Sequence, residues 1–170
     1  MGSVLSGMAV LAAIAMGSNV GDRGAHLSAA GSALGALPGT RVVAVSGSIE
    51  TPAWGPVAQG PYLNAAATVS TELPARELLA GLMAIERSRG RDRSREQRWG
   101  PRTLDLDLIL FGDAVIDEPG LVVPHPRMHE RGFVLGPLAQ IAPDMRHPVL
   151  AASVGELLAR LNAASPGFNA

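Results

Sequence analysis

Neither cysteine nor lysine occurs in the 170-residue chain. Without cysteine there can be no disulfide, zinc ribbon or thiol nucleophile. Without lysine, a Walker A loop loses the side chain that reaches the phosphates and a Schiff-base enzyme loses its amine. No apolar run approaches the roughly eighteen residues of a membrane span. Aromatics are scarce at 4%, so each one is informative about what it lines. A content of 47% hydrophobic against 17% charged residues argues against disorder, and the length suits one domain with one sizeable core.

That domain is expected over residues 8–165, with residues 1–7 a flexible leader or cloning remnant. Met1 to Gly7 matches a myristoylation pattern, and Met8 to Met16 has the length of a signal-peptide core. No basic residue precedes that run and no cleavage site follows it, so a buried first strand explains it better.

All fourteen basic residues are arginine, and the net charge of −1 gives no global reason to coat nucleic acid. Their distribution is uneven. Six of them fall between Arg87 and Arg98, a density expected to keep the loop open unless a polyanion gathers it.

Met8 to Met16 reads as a strand ending in Gly17-Ser18-Asn19, and Asp22 caps a helix that stops at Pro38-Gly39. Val42 to Ile49 and Leu63 to Thr71 read as strands separated by a Pro/Gly-rich loop. Pro74 opens a second helix that ends near Gly90, and Leu104 to Phe111 is a fourth strand. The order β-α-β-β-α-β is that of the ferredoxin-like unit, an α+β antiparallel sheet with helices packed on it. A C-terminal hairpin around Pro119-Gly120 and short extra helices at Phe133 to Ile141 and Val154 to Leu161 complete it. The last helix starts with a Ser153 to Glu156 capping box.

Asp105 and Asp107 lie within the fourth strand. Alternation puts Leu104, Leu106, Leu108 and Leu110 on one face and both carboxylates on the other, roughly 6 to 7 Å apart. Charges that close repel unless a cation lies between them, and such a pair suits magnesium, which takes one or two protein oxygens and fills its octahedron with water and phosphate. Ile109 and Phe111 continue the carboxylate face, which distinguishes it from an ordinary wet surface. The segment Glu86 to Arg102 runs directly into this pair, with arginines able to neutralise a polyphosphate.

The loop Thr51-Pro52-Ala53-Trp54, followed by Tyr62 and Asn64, offers a slot for a planar heterocycle with an amide to read its edge. His125 and His129 have i,i+4 spacing but lack the HExxH zinc pattern, so His125 reads as a phosphate donor beside Arg131.

Together, and above all through Arg98-Trp99-Gly100-Pro101-Arg102-Thr103-Leu104-Asp105-Leu106-Asp107, the sequence resembles the 6-hydroxymethyl-7,8-dihydropterin pyrophosphokinases of folate biosynthesis. The resemblance runs from Gly17-Ser18-Asn19 to Pro143. It implies transfer of the β,γ-diphosphate of ATP to the pterin hydroxymethyl group, leaving AMP, with two Mg2+ ions on Asp105 and Asp107. It implies Arg91 and Arg102 as mobile catalytic arginines and Glu86, Arg93, Arg98, Trp99, His125 and Arg131 around ATP. Tyr62 and Phe133 would sandwich the pterin, with Thr51, Pro52, Ala53, Trp54 and Asn64 at its edge. A cytoplasmic monomer acting on small molecules, with no nucleic-acid or membrane partner, is expected.

The chain departs from relatives at Ala58-Gln59-Gly60-Pro61, in a longer Arg93 to Arg98 segment, and at Gly120 and Val122. Two rivals share parts of the pattern. An RNA-binding domain of the same topology wants exposed aromatics that the fourth strand lacks, and a two-metal nucleotidyl transferase or cyclase would use the same Asp-x-Asp strand.

Overall fold

The computed structural model describes residues 8–165. The expected leader or cloning remnant, residues 1–7, lies outside the described residues.

Strand β1 (Val10–Ser18) runs through the interior of a five-stranded antiparallel sheet, between β4 (Tyr62–Thr71) and β5 (Asp105–Phe111), with β2 (Thr40–Val45) and β3 (Ile49–Thr51) both on the far side of β4. Helix α1 (Arg23–Gly35) follows, its N-cap Asp22 accepting from the Ala25 amide at 2.9 Å. Then come β2 (Thr40–Val45), β3 (Ile49–Thr51), β4 (Tyr62–Thr71), α2 (Ala75–Ser88) and β5 (Asp105–Phe111). The expected second strand is thus broken in two. The Ser46 hydroxyl accepts from the Ala66 amide at 2.8 Å, and β2 and β3 both pair with β4 on either side of the break. With that adjustment the strand order is the ferredoxin-like one.

The rest of the described chain comprises a hairpin of β6 (Ile116–Glu118) and β7 (Leu121–Val123), a 3-10 turn at Met128–Glu130, α3 (Gly132–Ile141), a small pair β8 (Arg146–His147) and β9 (Ala152–Ser153), and α4 (Val154–Ala164). The pair β8 and β9 was not anticipated. The capping box at Ser153 and Glu156 is present.

Each sheet face carries its own core. On one, Ile14, Met16, Leu104 and Leu106 pack against Leu27 and Leu34 of α1 and Leu78 and Leu82 of α2. On the other, Ala13, Ala66 and Ile109 meet Leu135 and Leu138 of α3 and Leu157 of α4. The supposed single leucine face of β5 is divided. A bulge lies where Ile14 pairs with Leu108 and Ala13 with Leu110, so Leu108 stays with α1 and α2 while Leu110 joins Ile109 in the second core. Phe111 correspondingly packs on the first core, away from the carboxylate face, because one extra residue reverses the alternation.

Candidate active site

Three residues lie abreast across the sheet. Gly17 of β1 pairs with Asn64 of β4 on one side and with Asp105 of β5 on the other, and Ala15 pairs with Asp107. Neighbouring strands are about 4.8 Å apart, so the amide and the carboxylate share one face roughly 10 Å from each other. The glycine permits the approach: a Cβ there would come within 3.1 Å of Asn64 Oδ1 and 3.4 Å of Tyr62 Cδ1.

Over this row opens a pocket of about 280 Å³. Thr51, Pro52, Trp54, Tyr62, Asn64 and Phe133 line it together with Trp99, Arg102, Asp105, Asp107, His125 and Arg131. Ala53, Glu86, Arg91, Arg93 and Arg98 are not in its lining. Arg127, which the sequence reading passed over, is.

The apolar end offers aromatic faces and a fixed amide. Asn64 Nδ2 donates to Thr51 Oγ1 at 2.7 Å, which fixes the amide and turns its oxygen to the pocket as an acceptor. Trp54 meets Phe133 edge-on with centroids 6.4 Å apart, and the Arg131 guanidinium lies 5.6 Å from the Phe133 ring centre. Burial raises the Tyr62 phenol above its usual pKa, keeping it neutral.

The polar end contradicts the simple picture of two repelling carboxylates. Asp105 receives Arg91 Nη1 at 2.6 Å on one oxygen and Arg102 Nη1 at 2.9 Å on the other. Burial works to raise its pKa, but Arg102 and Arg91 outweigh that and hold it below the normal carboxylate range. At Asp107 the arginines, Arg131 and then Arg102, are outweighed. Burial first, and Asp105 second, push it up to about 7, and among the described residues it has no ion-pair partner within 4.0 Å.

His125 is held neutral, its pKa pushed down to about 4 by burial and by Arg131. Its Nδ1 accepts from the Arg127 amide at 3.1 Å, which leaves Nε2 as the hydrogen-bearing nitrogen. The Arg131 pKa is lowered, chiefly by burial.

The arginine loop is also not the open, self-repelling segment expected. Acids interleaved with the arginines neutralise it from within: Glu86 receives Arg91 at 2.6 Å and Arg93 at 2.8 Å, Asp92 lies 3.4 Å from Arg95, and Glu96 takes Arg91. Glu86 is buried and accepts from the Leu106 amide at 2.9 Å, which ties the loop's base to β5. Asn19 and Gln59 were missed as well. The Asn19 side chain accepts from the Arg102 amide at 2.8 Å and donates to Gln59 Oε1 at 2.8 Å. Only the third dimension shows these, because the partners are 83 and 40 residues away.

A divalent cation fits this donor set. Two carboxylates from one strand face a pocket, one of them lacking a cationic partner. Among the described residues no group of three or more His, Cys, Asp or Glu could hold a metal ion, so remaining ligands would come from water and phosphate.

Comparison with known proteins agrees with the geometry. Residues 13–143 match the model of the family described as 7,8-dihydro-6-hydroxymethylpterin-pyrophosphokinase (HPPK). The 2-amino-4-hydroxy-6-hydroxymethyldihydropteridine pyrophosphokinase of Methylorubrum extorquens is 44% identical over 88% of this chain and 92% of its own. The Pseudomonas aeruginosa protein of the same name is 47% identical over 79% of this chain and 82% of its own. Among solved structures, Plasmodium falciparum HPPK-DHPS with pteroate superposes with a TM-score of 0.74 at 12% identity, a likeness of fold. It covers 98% of this chain, which spans only 46% of that longer one. The chain belongs to the 7,8-dihydro-6-hydroxymethylpterin-pyrophosphokinase family.

Proposed function

We propose that the pocket binds ATP and 6-hydroxymethyl-7,8-dihydropterin side by side and moves the β,γ-diphosphate from one to the other. The hydroxymethyl oxygen forms a bond to the β-phosphorus, the bond from that phosphorus to the α,β-bridging oxygen breaks, AMP leaves with that oxygen, and the hydroxyl proton goes to solvent. The observation that carries this reading is the row Asn64, Gly17, Asp105, which sets an aromatic, edge-reading slot directly beside a carboxylate pair ringed by arginines.

Tyr62 and Phe133 stack on the pterin, and Asn64, Thr51, Pro52 and Trp54 enclose its edge, with Ala53 outside the lining. Asp105 and Asp107 would hold two Mg2+ ions, which when bound would offset the triphosphate charge. His125 donates through Nε2 to a phosphate oxygen, and Arg131 and Trp99 line the nucleotide site, while Arg98 and Arg93, outside the lining, have to move to reach it. Glu86 supports that site from below, through Arg91 and Arg93, since it is buried away from the pocket. Arg102 already lines the pocket, whereas Arg91 has to leave its carboxylates to touch a phosphate. Catalysis rests on alignment and charge neutralisation, the usual demands of phosphoryl transfer. A monomer in the cytoplasm suffices for this chemistry. An RNA reading is disfavoured by the fold, since α3 and α4 cover the sheet face opposite α1 and α2.

Incubation with magnesium, ATP and the pterin alcohol tests the proposal. AMP must appear in equal amount to pterin diphosphate, and only when the pterin is present. AMP or pyrophosphate formed without it would favour a nucleotidyl transferase or cyclase.

A further inference from the structure

The Arg91 guanidinium is fully engaged by carboxylates, and one of them sits on the loop itself. Arg91 Nη1 donates to Glu86 at 2.6 Å and Asp105 at 2.6 Å, while Nε and Nη2 form a fork onto the two Glu96 oxygens, at 2.5 Å and 3.1 Å. The side chain is only 2% exposed. Glu96 also lies 4.0 Å from Arg102 Nε, so one carboxylate faces both arginines that the proposed reaction needs.

The three partners differ in what they can give up. Glu86 is buried and anchored to the Leu106 amide, and Asp105 is fixed as the first residue of the edge strand β5, paired with Gly17 of β1. Glu96 is 20% exposed and stands in the loop between α2 and β5. Each Asp105 oxygen accepts from an arginine, so a cation at Asp105 competes with Arg91 and Arg102 for the carboxylate charge. Three guanidinium groups (Arg91, Arg93, Arg102) face three carboxylates (Glu86, Glu96, Asp105), a balance that a metal-bound triphosphate disturbs by competing for both kinds of partner.

We propose that Glu96 is a positioning residue that stores Arg91, and secondarily Arg102, on carboxylates until the metal-triphosphate displaces them, exchanging Asp105 to the cation and the arginines to phosphate. This rests on the pyrophosphokinase reading of the pocket. It makes Glu96 an opponent of nucleotide binding and a determinant of when the arginines arrive.

Glu96→Gln keeps the shape and removes the charge. Calorimetric titration of the variant with ATP and magnesium, without pterin, should give a Kd about tenfold lower than the wild type, the order expected for weakening one charged fork. Glu96→Asp, which restores the charge, should return most of the way. In the wild type, the Arg91 Nε–H resonance, observed by nitrogen-15 labelling, should be protected in the free protein and should shift on saturation with magnesium and ATP. It should lose protection in free Glu96→Gln. An unchanged or raised Kd in Glu96→Gln, or an Arg91 signal indifferent to the ligand, overturns the proposal. Failure of the reaction reading looks different: the wild type then binds no magnesium-ATP at the pocket, or forms no AMP with pterin. Thermal melts of both variants identify any that fail to fold, and in that case the wild-type resonance alone decides.

Discussion

The Gln59 side-chain amide donates to the Trp99 backbone carbonyl at 2.6 Å, tying the Pro/Gly-rich loop before β4 to the end of the arginine loop. Its other end accepts from Asn19 at 2.8 Å. Trp99 adopts φ +66, a left-handed conformation that costs a non-glycine residue of order 1 kcal/mol or more and persists only when neighbours hold it.

Gln59→Ala should therefore lower stability by about 1 to 2 kcal/mol, a few degrees in Tm, and free Trp99 to relax. Gln59→Glu keeps the acceptor for Asn19 and loses the donor to Trp99, so it should fall between. Calorimetry of the three proteins checks the order, and equal melting of all three would show that the tether contributes nothing.

Gly55 has φ +103, and a Cβ on it would meet Trp99 Cβ at 3.0 Å. Gly55→Ala must strain its own backbone or push Trp99 out of the pocket wall. A several-fold loss of nucleotide affinity with a red-shifted tryptophan emission is expected. Emission and affinity both unchanged would mean that the loop absorbs the methyl group.

In the metal-free protein Asp107 takes up a proton near pH 7, whereas an unfolded aspartate is ionised above about pH 4. Between those values the folded state binds more protons, so this group's contribution to stability falls as pH rises through the window. Asp107→Asn should accordingly raise Tm more at about pH 8 than at about pH 5. Asp105 has the opposite sign: its depressed pKa stabilises the fold above the unfolded value, and Asp105→Asn should lower Tm across the same range. Melting curves at both pH values, with chelator present, measure the two slopes. Both substitutions should abolish turnover.

Phe133→Ala removes one wall of the proposed pterin slot and the edge partner of Trp54. Loss of stacking, about 0.5 to 1.5 kcal/mol beyond area burial, should weaken pterin binding by tenfold or more. ATP affinity should change much less, although Arg131 loses the ring it lies over. Titration with each ligand separately tests the split, and equal losses would assign Phe133 to the core instead.

Much of the site is legible along the chain because its pieces are local. Asp105 and Asp107 are two apart on a strand, Tyr62 and Asn64 likewise, and alternation alone puts each pair on one face. The order of helices and strands, with Asp22 and Ser153 as caps, follows from short-range preferences that a single sequence displays. What those preferences leave open is which charges find each other. The arginine run reads as self-repelling until folding brings Glu86 from α2 and Asp105 from β5 onto Arg91, and a lone bulge in β5 sends Leu110 to the opposite core from Leu108. Burial pushes the pKa of both Asp105 and Asp107 up, but Arg102 and Arg91 reverse the shift at Asp105 alone, although the two are the same residue type in the same strand. Periodicity and turn chemistry act over a few residues and are written in order along the chain. Ion pairing, desolvation and loop tethering depend on distances between residues far apart in it, and only the tertiary structure determines those.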